Sequence, residues 1–189
     1  MKTIPFILTA AIFLASCNGN PKTPVARADS TNEVKQDSSA TGLSVTADSA
    51  SAAFLVRAAD NTLRAGDMAG LAMEKATIPT VKEFADMLSQ EHKNLHEAVK
   101  ALAVQKNITI PPSSNDEKTM SRLTERKGSA FDKAYINEVI DEHKSAISKF
   151  EDAVKYAQDP DIKAFADKTL PNLQKHLDSA KSIKEKYWK

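Results

Sequence analysis

His92, His143 and His176 are three of the four histidines in a chain of 189 residues, and each sits in an otherwise apolar stripe of helical spacing. The 4-3 pattern reads Val81, Ala85, Leu88, His92, Leu95, Val99 and Leu102 in one segment. It reads Ile136, Ile140, His143, Ile147, Phe150 and Val154 in the next, and Ile162, Ala166, Thr169, Leu173, His176, Ala180 and Ile183 in the last. Such stripes are the inward seams of packed helices. An imidazole in a seam needs partners for its ring nitrogens. Each His lies near the middle of its segment, so in a bundle the three fall at one level. Together they could share a metal, a carboxylate, waters or one another. A three-His site completed by a carboxylate or water suits a single zinc, copper or iron ion. The competing reading is a buried polar network that sets register and binds nothing; a shifted heptad phase, which would disperse the three, is the other. The first helical segment has no His. It offers Asp60, Asp67 and Glu74 at heptad spacing, and Asp67, nearest mid-helix between Gly66 and Gly70, is the candidate fourth ligand.

Other chemistries fail on spacing. Di-iron carboxylate sites need Glu-x-x-His on two helices. Here Ser89, Lys93, Ile140 and Leu173 stand three residues before His92, His96, His143 and His176. His92 and His96 have the i, i+4 spacing of zinc proteases, but Lys93 holds the position of the required Glu. His96 reads as a flanking, partly solvated residue. No nucleophile elbow, phosphate loop or dinucleotide fingerprint occurs. A single Cys excludes an intramolecular disulfide and any Cys-based zinc cluster. With 26 Lys+Arg against 25 Asp+Glu there is no broad field for nucleic acid. The basic tail Lys181, Lys184, Lys186 and Lys189 reads as cations answering a helix dipole.

The elements that would position the histidines are helices. Five Gly in the whole chain and no alternating strand pattern argue for an all-α domain over residues 49–189. The first helix is expected from about Ser51 to Thr77. Thr80 and Glu83 have the composition of a capping box opening a second helix that runs to about Lys106. A short helix, about Asp116 to Lys127, is expected to close at Gly128. Ser129 and Asp132 read as a second capping box for a helix to about Gln158, and Asp159-Pro160 caps the last, to about Tyr187. The sum is an antiparallel four-helix bundle with a short extra helix between helices two and three. The segment Pro79-Thr80-Val81-Lys82-Glu83-Phe84-Ala85-Asp86 echoes Pro160-Asp161-Ile162-Lys163-Ala164-Phe165-Ala166-Asp167. The bundle therefore reads as two related hairpins, with Pro171 expected to bend the last helix.

Ahead of the domain, residues 1–16 read as a secretory signal: Lys2, then an apolar stretch too short to span a membrane. It ends in Leu14-Ala15-Ser16-Cys17, which resembles a bacterial lipobox and implies cleavage before Cys17 and lipidation there. Residues 17–48 are rich in Ser, Thr, Asn, Asp, Pro and Ala and are expected to be a disordered tether from the anchor.

Phe54-Leu55-Val56-Arg57-Ala58-Ala59, Val81-Lys82-Glu83-Phe84-Ala85 with Glu91-His92, Ala130-Phe131-Asp132-Lys133-Ala134-Tyr135, Asp141-Glu142-His143, and Thr169-Leu170-Pro171 through His176 resemble the domain of unknown function 4142 family. The resemblance covers about residues 50 to 185. It implies a ferritin-like bundle in an exported bacterial protein and no particular activity, and the family's recurring His positions match His92, His143 and His176. Where the family carries Glu in the first helix, this chain has Ala65 and Asp67. The reading that follows is a lipid-anchored, periplasm-facing envelope protein of the outer membrane. It is expected to be a non-enzymatic binding or stress-related module whose His cluster holds a metal ion. A structural module that docks an envelope protein partner is the alternative, and a metal-dependent enzyme the third.

Overall fold

A computed structural model describes residues 48–113 and 117–189, together with Pro24, Val25, Ala28 and Asn32. Residues 1–16 and Cys17 lie outside the described residues. Five helices follow: α1 Ser49–Lys75, α2 Pro79–Gln105, α3 Glu117–Thr124, α4 Gly128–Tyr156 and α5 Pro160–Tyr187. No strand occurs among the described residues, and no helix among them is long and apolar enough to cross a membrane.

Short connections at 76–78 and 157–159 fold α1 onto α2 and α4 onto α5, making two antiparallel hairpins. α1 also packs on α4, and α2 more lightly on α5. The polar contacts at the ends fix the hand-over between hairpins. At one end Asp132, near the start of α4, bonds the α1–α2 turn, and Thr80 Oγ1 meets Tyr187 Oη at 2.9 Å. At the other, Lys106 closes α2 against Asp159 at 2.8 Å and Asp161 at 2.6 Å, at the start of α5. α2 and α4 therefore run parallel on a diagonal, and the connection between them must travel the length of the bundle, about 40 Å for a 27-residue helix. That up-down-down-up order is the ferritin-like arrangement. The connection carries α3, whose end is tied to α1 by Lys75 Nζ donating to the Thr124 carbonyl.

The three predicted seams form the core. Of those positions all are buried except Leu95 and Val154, which are half-buried. The helix ends depart from expectation. Ile78 caps α2 with Pro79 as first residue, so Thr80 and Glu83 make no capping box. Gly128 does not close α3. It opens α4 at φ +55°, a left-handed conformation that costs glycine little. α2 ends through Asn107, also at φ +55°, with Asn107 N–H donating to the Val104 carbonyl and Ile108 N–H to the Ala103 carbonyl. This is a Schellman closure with Asn in the glycine position. Asp159 caps α5 as expected, accepting from the Asp161 and Ile162 amides.

Asp132 makes no capping box with Ser129 either. It is fully buried and accepts from Thr77 N–H at 3.0 Å, Thr77 Oγ1–H at 2.5 Å and Ile78 N–H at 3.1 Å. One carboxylate thus satisfies the orphan donors of a turn on the other hairpin. Replacing it strands them. Asp132→Ala should lower unfolding free energy by roughly 2–4 kcal/mol, read as a lower denaturant midpoint at unchanged slope.

Within the span expected to be a tether, Pro24, Val25, Ala28 and Asn32 are helical and Asp48 caps α1. Ala28 is 2% exposed in the core cluster, and Asn32 pairs both ends of its amide with the Thr109 backbone at 2.9 and 3.4 Å.

Candidate metal centre

Each histidine comes from a different helix: His92 from α2, His143 from α4 and His176 from α5. All three are buried, and their ring centroids lie 5.3 to 5.7 Å apart. One nitrogen from each lies within 4.8 Å of the others. An ion bonded at about 2.0–2.1 Å to three imidazoles needs those nitrogens roughly 3.3–3.6 Å apart. Small side-chain rotations would therefore close the triangle.

The hydrogen bonds on the outer sides of the rings define what the inner sides can do. His143 Nδ1–H donates to the Val139 carbonyl, one helical turn back, at 2.8 Å. A neutral ring so tied carries its lone pair on Nε2. His176 Nε2–H donates to the Glu91 carboxylate at 2.8 Å, which puts the lone pair of a neutral ring on Nδ1. These two inward nitrogens face each other at 3.3 Å. With both rings neutral there are two lone pairs and no proton between them. His92, 4% exposed, has no hydrogen-bond partner on either nitrogen among the described residues.

Electrostatics keep His92 and His143 in the form a cation requires. Burial, reinforced by the other two imidazoles, pushes His92 down to about 3. Burial also takes His143 down to about 4, with His176 adding to the shift and the Val139 carbonyl opposing it. Metal ligation consumes neutral imidazole, and carbonyl and carboxylate partners on the far nitrogens are the outer-shell arrangement that orients such ligands.

Asp67 does not join the cluster. It is exposed on α1; burial raises its carboxyl above the usual range, and neighbouring His96 offsets part of that. The inward face of α1 runs through Leu55, Ala58, Thr62, Ala69 and Ala72, and the Asp60–Asp67–Glu74 row lies about 160° round the helix from it. His96 flanks the site as expected, its Nδ1–H directed at Thr62 Oγ1 and the Ala59 carbonyl, both at 3.1 Å. The carboxylate that does reach the triad is Glu91, which precedes His92 on the edge of α2 facing α5. Its only sequence signal is that flanking position. A surface groove between α2 and α5, lined by Glu91, Asn94, Lys168 and Asn172, reaches His92 and His176 and offers a way in.

The family described as "Domain of unknown function (DUF4142)" matches residues 34–183. Among solved structures, a DUF305 fragment from Deinococcus radiodurans is 13% identical, with 73% of this chain and 97% of that one covered at a TM-score of 0.66. CopM in its Cu(I)-bound form is 18% identical over 74% of this chain and 98% of that one, at 0.65. CopM in an Ag-bound form obtained by soaking is 17% identical over 74% and 97%, at 0.63. At such identities the likeness is one of fold. No curated protein matches the chain.

Proposed function

The chain belongs to the DUF4142 family, whose description assigns no activity, and from the geometry of the triad we propose that it is a metal-binding module of the bacterial cell envelope. His92, His143 and His176 are the ligands, and one transition metal ion is the cargo. The observation that carries this reading is His92: a buried imidazole with both nitrogens unpartnered, beside two rings whose free lone pairs already face inward. A polar network that only sets register accounts for His143 and His176 if a further proton lies between their two facing nitrogens. It leaves His92 unsatisfied at a cost of roughly 1–3 kcal/mol, and a cation removes that cost.

Three imidazoles with no thiolate suit copper and zinc. Copper is the first to test, since CopM holds Cu(I) on the same fold. The absence of Glu-x-x-His pairs speaks against di-iron chemistry and favours a binding role. Lipidation at Cys17 would tether the module to a membrane of the cell envelope; the Leu14-Ala15-Ser16-Cys17 sequence supports lipidation, and acyl labelling lost in Cys17→Ala tests it.

Purified without chelators, the full chain should carry or take up about one equivalent of copper or zinc by mass spectrometry. His143→Ala should lose it. No uptake at micromolar metal by the folded parent would sink the proposal.

A further inference from the structure

Three helices supply imidazoles to the triad, and the fourth supplies none. α1 approaches with Ala58, Thr62 and Ala65. The two alanines carry no donor, and the Thr62 hydroxyl is already committed to the Ala58 and Ala59 carbonyls and to His96. Between these residues and the rings of His92 and His143 lies a cavity with about 20 Å³ in which the centre of a water molecule can sit. A space of that size accepts one water and excludes anything beyond a few atoms. Its outer side is bounded by Glu142, paired with Arg64 at 2.7 Å, and by Asn61, which accepts from the same guanidinium at 3.3 Å. The ion pair leaves that wall without net charge, so it neither repels nor captures an anion.

Three imidazoles around one ion leave a tetrahedral position for a non-protein donor. Free volume beside the rings decides where that position points. Resting on the metal reading above, we infer that the ion keeps its fourth position open toward α1 and takes there a single small exogenous donor, water at rest, exchangeable for a small monoanion. Packing at Ala65 and Ala58 then limits the size of what binds. A larger residue at either position closes the site without touching a ligand.

The test uses the full chain loaded with Cu(II) and titrated with azide, followed by azide-to-copper charge-transfer absorption. The parent should show a saturable band at about one azide per copper. Ala65→Leu should keep its copper and lose azide affinity at least tenfold, and Ala58→Val should behave likewise if Ala65→Leu folds poorly. Hyperfine spectroscopy of the parent in D₂O, which needs no variant, should find exchangeable deuterons at bonding distance from the copper. Copper bound with neither band nor deuterons would mean a closed site and overturn the inference while leaving the metal reading intact. An azide affinity unchanged in the filled variants but abolished by Asn172→Trp would move the opening to the α2–α5 groove and overturn it equally. A chain that binds no copper fails earlier, at the metal reading, and takes this inference with it.

Discussion

Replacing His92 with Leu should make the metal-free protein more stable and the metal-loaded protein disappear. Leu is close to His in volume and brings no polar atom into the seam between Leu88 and Leu95. In the metal-free bundle both His92 nitrogens are desolvated without a partner, so their removal forfeits no hydrogen bond. The gain should be about 1–3 kcal/mol, seen as a thermal midpoint higher by several degrees. Metal affinity should fall by at least about 100-fold, since loss of a direct ligand costs more than loss of the outer-shell partners that orient one. His143→Leu is the contrasting case: it also abolishes binding, but it removes the donor to the Val139 carbonyl, so the stability gain should be smaller or absent. The loss of affinity separates the two readings of the cluster. A residue kept only to set helix register can also stabilise the fold when replaced by Leu, but its loss costs no metal affinity. Calorimetry of metal-free His92→Leu showing a midpoint below the parent's would mean that the ring is satisfied in solution and that the metal proposal has lost its main support.

Periodicity made most of this architecture readable, because a helix seam is a local property of sequence. His92, His143 and His176 could be placed at one level from spacing alone: each interrupts an apolar stripe mid-helix, and bundle geometry does the rest. Asp67 was misplaced because heptad spacing fixes which residues share a face and not which way that face turns. α1 has alanines on several sides, so its own pattern leaves the rotation weakly determined. Helix ends were harder for a different reason. Thr80 with Glu83, and Ser129 with Asp132, have capping-box composition, but Pro79 and Gly128 begin their helices earlier and the boxes never form. Asp132 then acts across the bundle on Thr77 and Ile78, a contact between residues far apart in sequence that no local rule contains. Glu91 is legible only once the α2–α5 packing is known.

Acid should unfold the metal-free protein more steeply than its size would suggest. In the unfolded chain His92 and His143 take up protons near 6.5, whereas in the bundle His143 stays neutral to about 4 and His92 to about 3. Between those limits the unfolded state binds more protons, so stability must rise with pH across the window and fall as pH drops through it. Each group contributes between about 1 and 2 kcal/mol per pH unit where the difference is fully developed. The slope is greatest from about 6 down to 4, where both differ, and weakens below 4, where only His92 still does. Asp48 and Asp159, whose carboxyls are held below the usual range, give up their contributions only at the acid end of that window. Denaturant midpoints measured from pH 7.5 to 4.5 therefore isolate the imidazoles. A variant carrying both His92→Leu and His143→Leu should flatten the curve between pH 6 and 4.5. Saturating metal should raise stability at pH 7 by nearly 3 kcal/mol when free metal is about 100 times its dissociation constant, and lose that advantage as protons compete for the same lone pairs. A parent curve as flat as the double variant's would show that the rings are hydrated and charged in solution. In that state they could neither hold an ion at acid pH nor carry the cost that metal binding is proposed to relieve.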